Sequence, residues 1–288
     1  MNIRKAIIPV AGLGTRFLPY TKAIPKEMLP IIDLPAIQFI VEEALDSGIK
    51  SILFITSKEK YSIEDYFDKH FYLEYFLKKN KKYDLLAQLK RVPEDFTIYS
   101  VRQKEAKGLG DAILYAQDFV GNEEFAVFLP DDLIFSKKPV MGEMMKIGRI
   151  YKKAVLAVER VEKRKISDYG IIKPAAIKDR LYEVKDMVEK PAPAKAFSNL
   201  GIVGRYILPA SIFKYIRSTK PGARGEIQLT DALRKLMQEE GLLAYEFNGL
   251  RCDTGNKFSY VLAILRYASM QKEMKNKLKK EIKKIFNI

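Results

Sequence analysis

The chain has 288 residues, 48% of them hydrophobic, which is enough for one large α/β domain and too apolar for a disordered chain. A single cysteine, Cys252, excludes an intramolecular disulfide, and a single histidine, His70, excludes a histidine-based metal site or catalytic triad. The net charge of +15 invites nucleic acid as a partner, but much of the excess lies in lysine runs at 78–82 and 272–284 with no RNA- or DNA-binding signature, and these read as solvated helix faces.

Ala6 to Val10 is continuously apolar rather than alternating and predicts a strand buried on both faces. It runs into Ala11-Gly12-Leu13-Gly14-Thr15-Arg16, where the glycines expose backbone N–H groups. Arg16 and Lys26 add fixed positive charge. The combination suits an anionic ligand such as a nucleoside triphosphate. It is not a dinucleotide-binding turn, because Phe17 stands where that turn needs Gly or Ala, and no Walker P-loop occurs in the chain.

Pro35 to Asp46 carries Ile37, Ile40, Val41, Ala44 and Leu45 at helical spacing, closed by Ser47-Gly48. Ser51 to Thr56 follows as a strand, and a crossover of that length implies parallel pairing. Residues 58–95 read as a helical hairpin beside the sheet, with one stripe at Ile63, Tyr66, Phe67 and Phe71, another at Leu85, Leu86 and Leu89, and His70 on a helix surface. Thr97 to Arg102 is the next strand, and Asp111 is placed to cap a helix from Ala112 to Phe119. Phe125 to Leu129 is an apolar strand ending in Pro130-Asp131-Asp132. Carboxylates just past a buried parallel strand are where open α/β sheets hold ligands and metals, although a turn explains these two residues equally well on their own.

A helix over Pro139 to Lys152 and a strand over Ala154 to Glu159 come next. The pattern then changes to strands and tight turns around Gly170, Val184 to Val188, Glu189-Lys190-Pro191 and Ser198 to Tyr206, without a long helix. Helices are predicted over Pro209 to Ser218 and Glu226 to Glu240, and a strand over Leu243 to Phe247. A second acidic turn stands at Asp253-Thr254-Gly255. In the last segment Met270, Met274, Leu278, Ile282 and Phe286 recur every four residues among lysines, which predicts an amphipathic helix in need of a partner surface.

The string Ala11-Gly-x-Gly-Thr-Arg16-(x)2-Pro19-x-Thr-Lys22-(x)2-Pro25-Lys26-Glu27-Met28-Leu29-Pro30 resembles the signature of the nucleoside-triphosphate:sugar-1-phosphate nucleotidyltransferases. Its Pro25 to Pro30 portion, with Lys220-Pro-Gly to Thr230-Asp-Ala, looks like the bacterial UTP–glucose-1-phosphate uridylyltransferases rather than the thymidylyltransferases. The resemblance runs from Ile3 to about Arg266. It implies an α/β fold with a Rossmann-like mixed, mostly parallel sheet flanked by helices and an added strand-rich sugar-binding half. The expected organisation is a single domain, with 1–135 mainly nucleotide-binding, 136–255 mainly sugar-phosphate-binding and 256–288 a C-terminal amphipathic helix.

The same resemblance assigns Ala11, Gly12, Gly14, Thr15, Glu27, Gln103 and Gly108 to the nucleotide, with the Gln103 amide offering a pyrimidine both a donor and an acceptor. Gly170, Glu189, Lys190 and Val203 fall to the sugar phosphate, and Asp131 and Asp253 to Mg²⁺ as hard oxygen ligands. Arg16, Lys26 and Lys190 are the catalytic cations. The implied reaction is in-line attack of glucose-1-phosphate on the α-phosphorus of UTP, giving UDP-glucose and pyrophosphate. The nucleophile is already an oxyanion, so no general base is needed. Gly201 stands where Ala is common and Cys252 where Tyr is common, which alters packing and removes no charge. A non-catalytic regulatory paralogue is the rival from another class, yet every charged position is kept. No apolar run spans a membrane and no signal segment is read at the start, so the expectation is a cytoplasmic homo-oligomer, dimer or tetramer, with neither nucleic-acid nor membrane partners.

Overall fold

In the computed structural model, which describes residues 3–93, 95–222 and 225–287, strand β1 (Lys5–Pro9) lies inside a nine-stranded sheet. Residues 223 and 224 of the Lys220 to Asp231 string, and Glu94 of the predicted hairpin, lie outside the described residues. Alternate residues of β1 enter two different cores: Ala6 and Ile8 one, Ile7 the other, all fully buried. Each such isoleucine is worth about 1.5–3 kcal/mol of burial, which is why the run has no polar side.

The first core also takes Ile37, Ile40 and Val41 of helix α1 (Ala36–Asp46) and Phe54 of β4 (Ser51–Thr56). Between α1 and β1, the two short strands β2 (Pro30–Ile31) and β3 (Leu34–Pro35) form a separate ribbon. Gly48, at φ 88°, supplies the left-handed turn after α1. The predicted hairpin is three short helices, α2 (Tyr61–Phe67), α3 (Phe71–Lys79) and α4 (Tyr83–Leu89). Its first stripe stops at Phe67, which packs near Phe54, while Phe71 is 77% exposed. His70 is the N-cap of α3, its Nδ1 accepting from the Leu73 N–H. Edge strand β5 (Thr97–Arg102) coincides with its predicted span.

The Ala112 to Phe119 helix is instead two pieces, α5 (Leu109–Leu114) and α6 (Gln117–Val120). Asp111 is not the cap. It lies in the first turn and accepts from the Gln103 amide (2.8 Å), while Gly108 at φ 97° takes the cap position. A Cβ on Gly108 or Gly110 would meet the Ile227 backbone oxygen at 2.9 or 2.8 Å, so the two glycines admit the chain of residue 227.

Strand β6 (Phe125–Phe128) is parallel to β1 and leads into β7 (Asp132–Phe135), a strand the sequence pattern did not reveal. Helix α7 (Val140–Tyr151) and strand β8 (Ala154–Arg160) lie within a residue of their predicted bounds. The hairpin β9 (Gly170–Lys178) and β10 (Leu181–Glu189) and strand β11 (Leu200–Leu208) form the strand-rich half. Helix α8 (Ile212–Arg217) precedes α9 (Leu229–Glu240), which starts three residues later than expected. Strand β12 (Leu242–Glu246) returns to the sheet, whose order is β5-β4-β1-β6-β11-β8-β12-β10-β9. The first four strands are parallel, whereas β11 runs antiparallel to both β6 and β8 and β10 antiparallel to β12. Finally β13 (Leu250–Asp253) pairs with β7 as a ribbon outside the main sheet.

The single C-terminal helix of the prediction is two, α10 (Lys257–Met270) and α11 (Lys272–Phe286), broken at Gln271 by an extended ψ of 120°. Tyr260, Ile264 and Tyr267 of α10 pack on the first core, but α11 buries none of its described residues. No helix among the described residues is long and apolar enough to cross a membrane.

Candidate active site

The end of the β1 loop, the end of β6 and the tip of the β7–β13 ribbon meet at a cleft of about 1060 Å³. Arg16, Asp131, Asp253, Gly170, Glu189 and Lys190 all line it, with Val203, 2% exposed, in its wall. The loop after β1 turns through Gly14 at φ 65°, where a Cβ would press to 3.2 Å on Lys26 and on Thr21. The Thr21 hydroxyl donates to the Gly14 carbonyl (2.8 Å), and Thr15 opens a short 3-10 turn ending at Phe17. The Lys26 stem passes Gly12 at ordinary van der Waals distance, 4.0 Å from where a Cβ would stand. The loop therefore delivers the Lys26 ammonium to Asp131, Nζ to Oδ2 at 2.9 Å.

Asp131 stands just beyond β6 and is held by its own backbone, whose carbonyl accepts from both the Thr254 N–H (2.7 Å) and the Thr254 hydroxyl (3.1 Å). The ribbon register places Asp253 directly opposite Asp132. Both carboxylates turn toward Gly255: a Cβ there would lie 2.9 Å from Asp253 Oδ1, 3.3 Å from Asp131 Oδ2 and 3.5 Å from Arg16 Nη1. Arg16 also donates to the Gly255 carbonyl (3.3 Å). Burial alone would raise the Asp131 carboxyl, but the adjacent Lys26 ammonium outweighs it and holds the group below the usual carboxylate range. Lys26 is held above its ordinary value by Asp131 and Glu27 despite the opposing effect of burial.

The Asp131 and Asp253 carboxylates offer oxygen donors to a hard divalent ion whose remaining positions phosphate and water could fill, and the Arg16 guanidinium beside them offers charge to a phosphate rather than a ligand to the metal. Among the described residues no group of three or more His, Cys, Asp or Glu side chains is placed to hold a metal ion.

On the other wall, Glu189 ends β10 and its Oε2 accepts from the Thr230 hydroxyl (2.6 Å). That oxygen lies 3.1 Å from where a Gly170 Cβ would be, so Gly170 leaves the carboxylate open to the cleft. Lys190 Nζ is 3.6 Å from Glu189 Oε1 and its side chain is 59% exposed. The Lys190 backbone adopts φ 45°, a conformation that costs a non-glycine residue on the order of 1–3 kcal/mol.

A nucleotidyl transferase family model matches residues 5–270. The chain belongs to the nucleotidyl transferase family. A UTP–glucose-1-phosphate uridylyltransferase of Staphylococcus haemolyticus is 48% identical over 284 residues, covering 99% of each chain. The crystal structure of a UDP-glucose pyrophosphorylase complexed with UDP-glucose superimposes with a TM-score of 0.87 at 42% identity, covering 94% of this chain and all of that one. A UTP-bound UGPase from Acinetobacter baumannii reaches a TM-score of 0.90 at 40% identity, covering 98% of this chain and 99% of its own. Enzymes of this family generally use a divalent metal ion.

In this nucleotidyl transferase the residues expected at the nucleotide lie in the loop after β1 and in the connection between β5 and α5. Ala11 is 8% and Gln103 9% exposed, and Gly108 packs on residue 227 next to Leu109, which does line the cleft. Glu27 is 2% exposed and its Oε2 takes the Lys60 ammonium at 2.7 Å. Burial raises the Glu27 carboxyl against the pull of Lys60, and the pair ties the Lys26–Met28 turn to the loop after β4.

Several cleft residues escaped the sequence reading. Glu226, Gln228 and Thr230, given no site role there, line the cleft, and so do Glu159 and Arg251. Asp132 is 5% exposed and its Oδ2 accepts from the Gly204 N–H (2.7 Å), so it braces the ribbon behind Asp131.

Proposed function

We propose that this nucleotidyl transferase joins UTP and glucose-1-phosphate to give UDP-glucose and pyrophosphate. The observation that carries the reading is the convergence of Asp131, Asp253 and Arg16 around Gly255, facing Glu189 and Lys190 across one cleft. Uridylyltransferases close to this chain over its full length, and related structures holding UTP and UDP-glucose, support the same substrates.

The two substrates are polyanions, so the site must first supply positive charge. Arg16 and Lys26 serve the triphosphate, with the Gly12–Gly14 loop and the flanking Ala11, Thr15, Gln103 and Gly108 around the nucleoside. Lys190 meets the sugar phosphate, while Gly170, Glu189 and Val203 shape the hexose pocket. Asp131 and Asp253 would hold Mg²⁺, which when bound neutralises phosphate charge. Catalysis is alignment plus electrostatic stabilisation, because the attacking phosphate needs no base. We further read the chain as one catalytic domain acting in the cytoplasm as a homo-oligomer.

The test is pyrophosphate release with Mg²⁺, crossing UTP, dTTP and CTP against glucose-, galactose- and glucosamine-1-phosphate. Turnover greatest with UTP and glucose-1-phosphate is expected. Release of pyrophosphate with dTTP at a higher kcat/KM than with UTP would reassign the enzyme, and no turnover with any pair would reject the reading.

A further inference from the structure

Arg251 stands where the two walls of the cleft meet. We propose that it is a positioning residue, setting the spacing between the metal carboxylates and the sugar pocket; this rests on the uridylyltransferase reading above. It sits on β13 two residues before Asp253. Its Nε–H donates to Asp132 Oδ1 (2.6 Å), and Asp132 is the neighbour of Asp131. In the other direction its Nη1 donates to Glu159 Oε1 (2.6 Å) in β8 and to the Tyr169 hydroxyl (2.9 Å). The guanidinium also lies over the Tyr169 ring, 5.1 Å from its centroid.

Tyr169 is the residue before Gly170, and its carbonyl accepts the Lys190 N–H (3.0 Å). One planar group therefore fixes the residue after one metal carboxylate, shares a strand with the other, and grips the segment that carries Gly170 and Lys190. The Arg251 side chain is only 9% exposed and its donors are directed at protein acceptors, so it acts through Asp132 and Tyr169 rather than on substrate. A lysine keeps the charge but lacks the fork that reaches three acceptors in two directions. Displacement of reacting groups by about 1 Å is enough to lower the rate about a hundredfold.

Two variants of the full chain test this, Arg251→Lys and Tyr169→Phe, the second keeping the ring and losing only the hydroxyl contact. Steady-state pyrophosphate release is measured against each substrate, with thermal melting to establish that each variant is folded. For Arg251→Lys, kcat is expected to fall about tenfold or more and KM for glucose-1-phosphate to rise about fivefold, with KM for UTP within about twofold of wild type. Tyr169→Phe should show the same asymmetry on a smaller scale, and it decides the matter if Arg251→Lys does not fold. KM values that move equally for both substrates, or not at all, in the folded variants overturn the role of Arg251. A wild-type protein that releases no pyrophosphate overturns the functional reading itself and this proposal with it.

Discussion

Lys26 donates to one of the carboxylates assigned to the metal, so the two groups neutralise each other before any substrate arrives. Asp131 is held ionised by that contact, and replacing it with asparagine preserves its shape while removing the charge that a cation needs. Asp131→Asn is therefore expected to lower kcat at least about tenfold, measured by pyrophosphate release; near-normal turnover would take Asp131 out of the site. Lys190 has a different position. Its exposed ammonium lines the cleft beside Glu189, and with the sugar-phosphate role proposed for it Lys190→Ala should raise KM for glucose-1-phosphate several-fold more than KM for UTP. Equal effects on both would assign Lys190 a structural part. At this scale the sequence exposes residues that stand in local motifs: Arg16 after Gly14, Lys26 in Pro25-Lys-Glu-Met, Asp131 and Asp253 at strand ends, Glu189 before Lys190. Arg251 is invisible in that way, because its partners Asp132, Glu159 and Tyr169 lie 119, 92 and 82 positions away. The partner of Glu27 is hidden for the same reason: Lys60, 33 positions away, donates to its carboxylate in the folded chain.

Elements defined by continuous apolar runs or clean helical stripes are readable from the chain, and Ser51–Thr56 and Thr97–Arg102 coincide with their predicted spans. Short elements held by tertiary contacts are not. Strand β7 is four residues long and exists because β13 pairs with it, and α5 begins before its predicted start because two glycines seat it on residue 227. The position of β7 depends in turn on a charge that no periodicity reveals. Arg205 of β11 has no exposed surface, and it donates to the Glu43 carboxylate of α1 (2.7 Å) and to the carbonyls of Asp132 (2.8 Å) and Gly204 (2.9 Å). It thus binds helix, sheet and ribbon together at the back of the metal carboxylates. Breaking such a buried pair leaves one charge uncompensated, so Glu43→Gln or Arg205→Met should each destabilise the fold by about 3–5 kcal/mol, read as a lowered denaturant midpoint. The double variant removes both charges and should recover part of that loss. If each single substitution cost less than about 1 kcal/mol, the pair would not be what holds the ribbon.

Across the whole molecule, one sheet runs from a parallel side, β5, β4, β1 and β6, to a mixed side, and the cleft opens where β6 meets the antiparallel β11. Every charged group assigned to the reaction lies between Arg16 and Asp253. Beyond it, α10 packs on the first core through Tyr260, Ile264 and Tyr267, whereas α11 buries no described residue and carries seven lysines against two glutamates. A helix that removes so little apolar surface from water contributes little to the stability of its own chain. Its positive charge adds to a long-range field that draws anionic substrates without touching them. Removal of residues 272–288 should accordingly leave kcat within about twofold and the melting temperature within a few degrees, while kcat/KM at low ionic strength falls modestly and the difference disappears as salt screens the field. The comparison is made by titrating salt in the pyrophosphate-release assay for both proteins. A truncated chain that loses kcat at every ionic strength would show instead that α11 supports the cleft through contacts in the active assembly, and its lysines would then be solvating a helix whose apolar stripe has a partner.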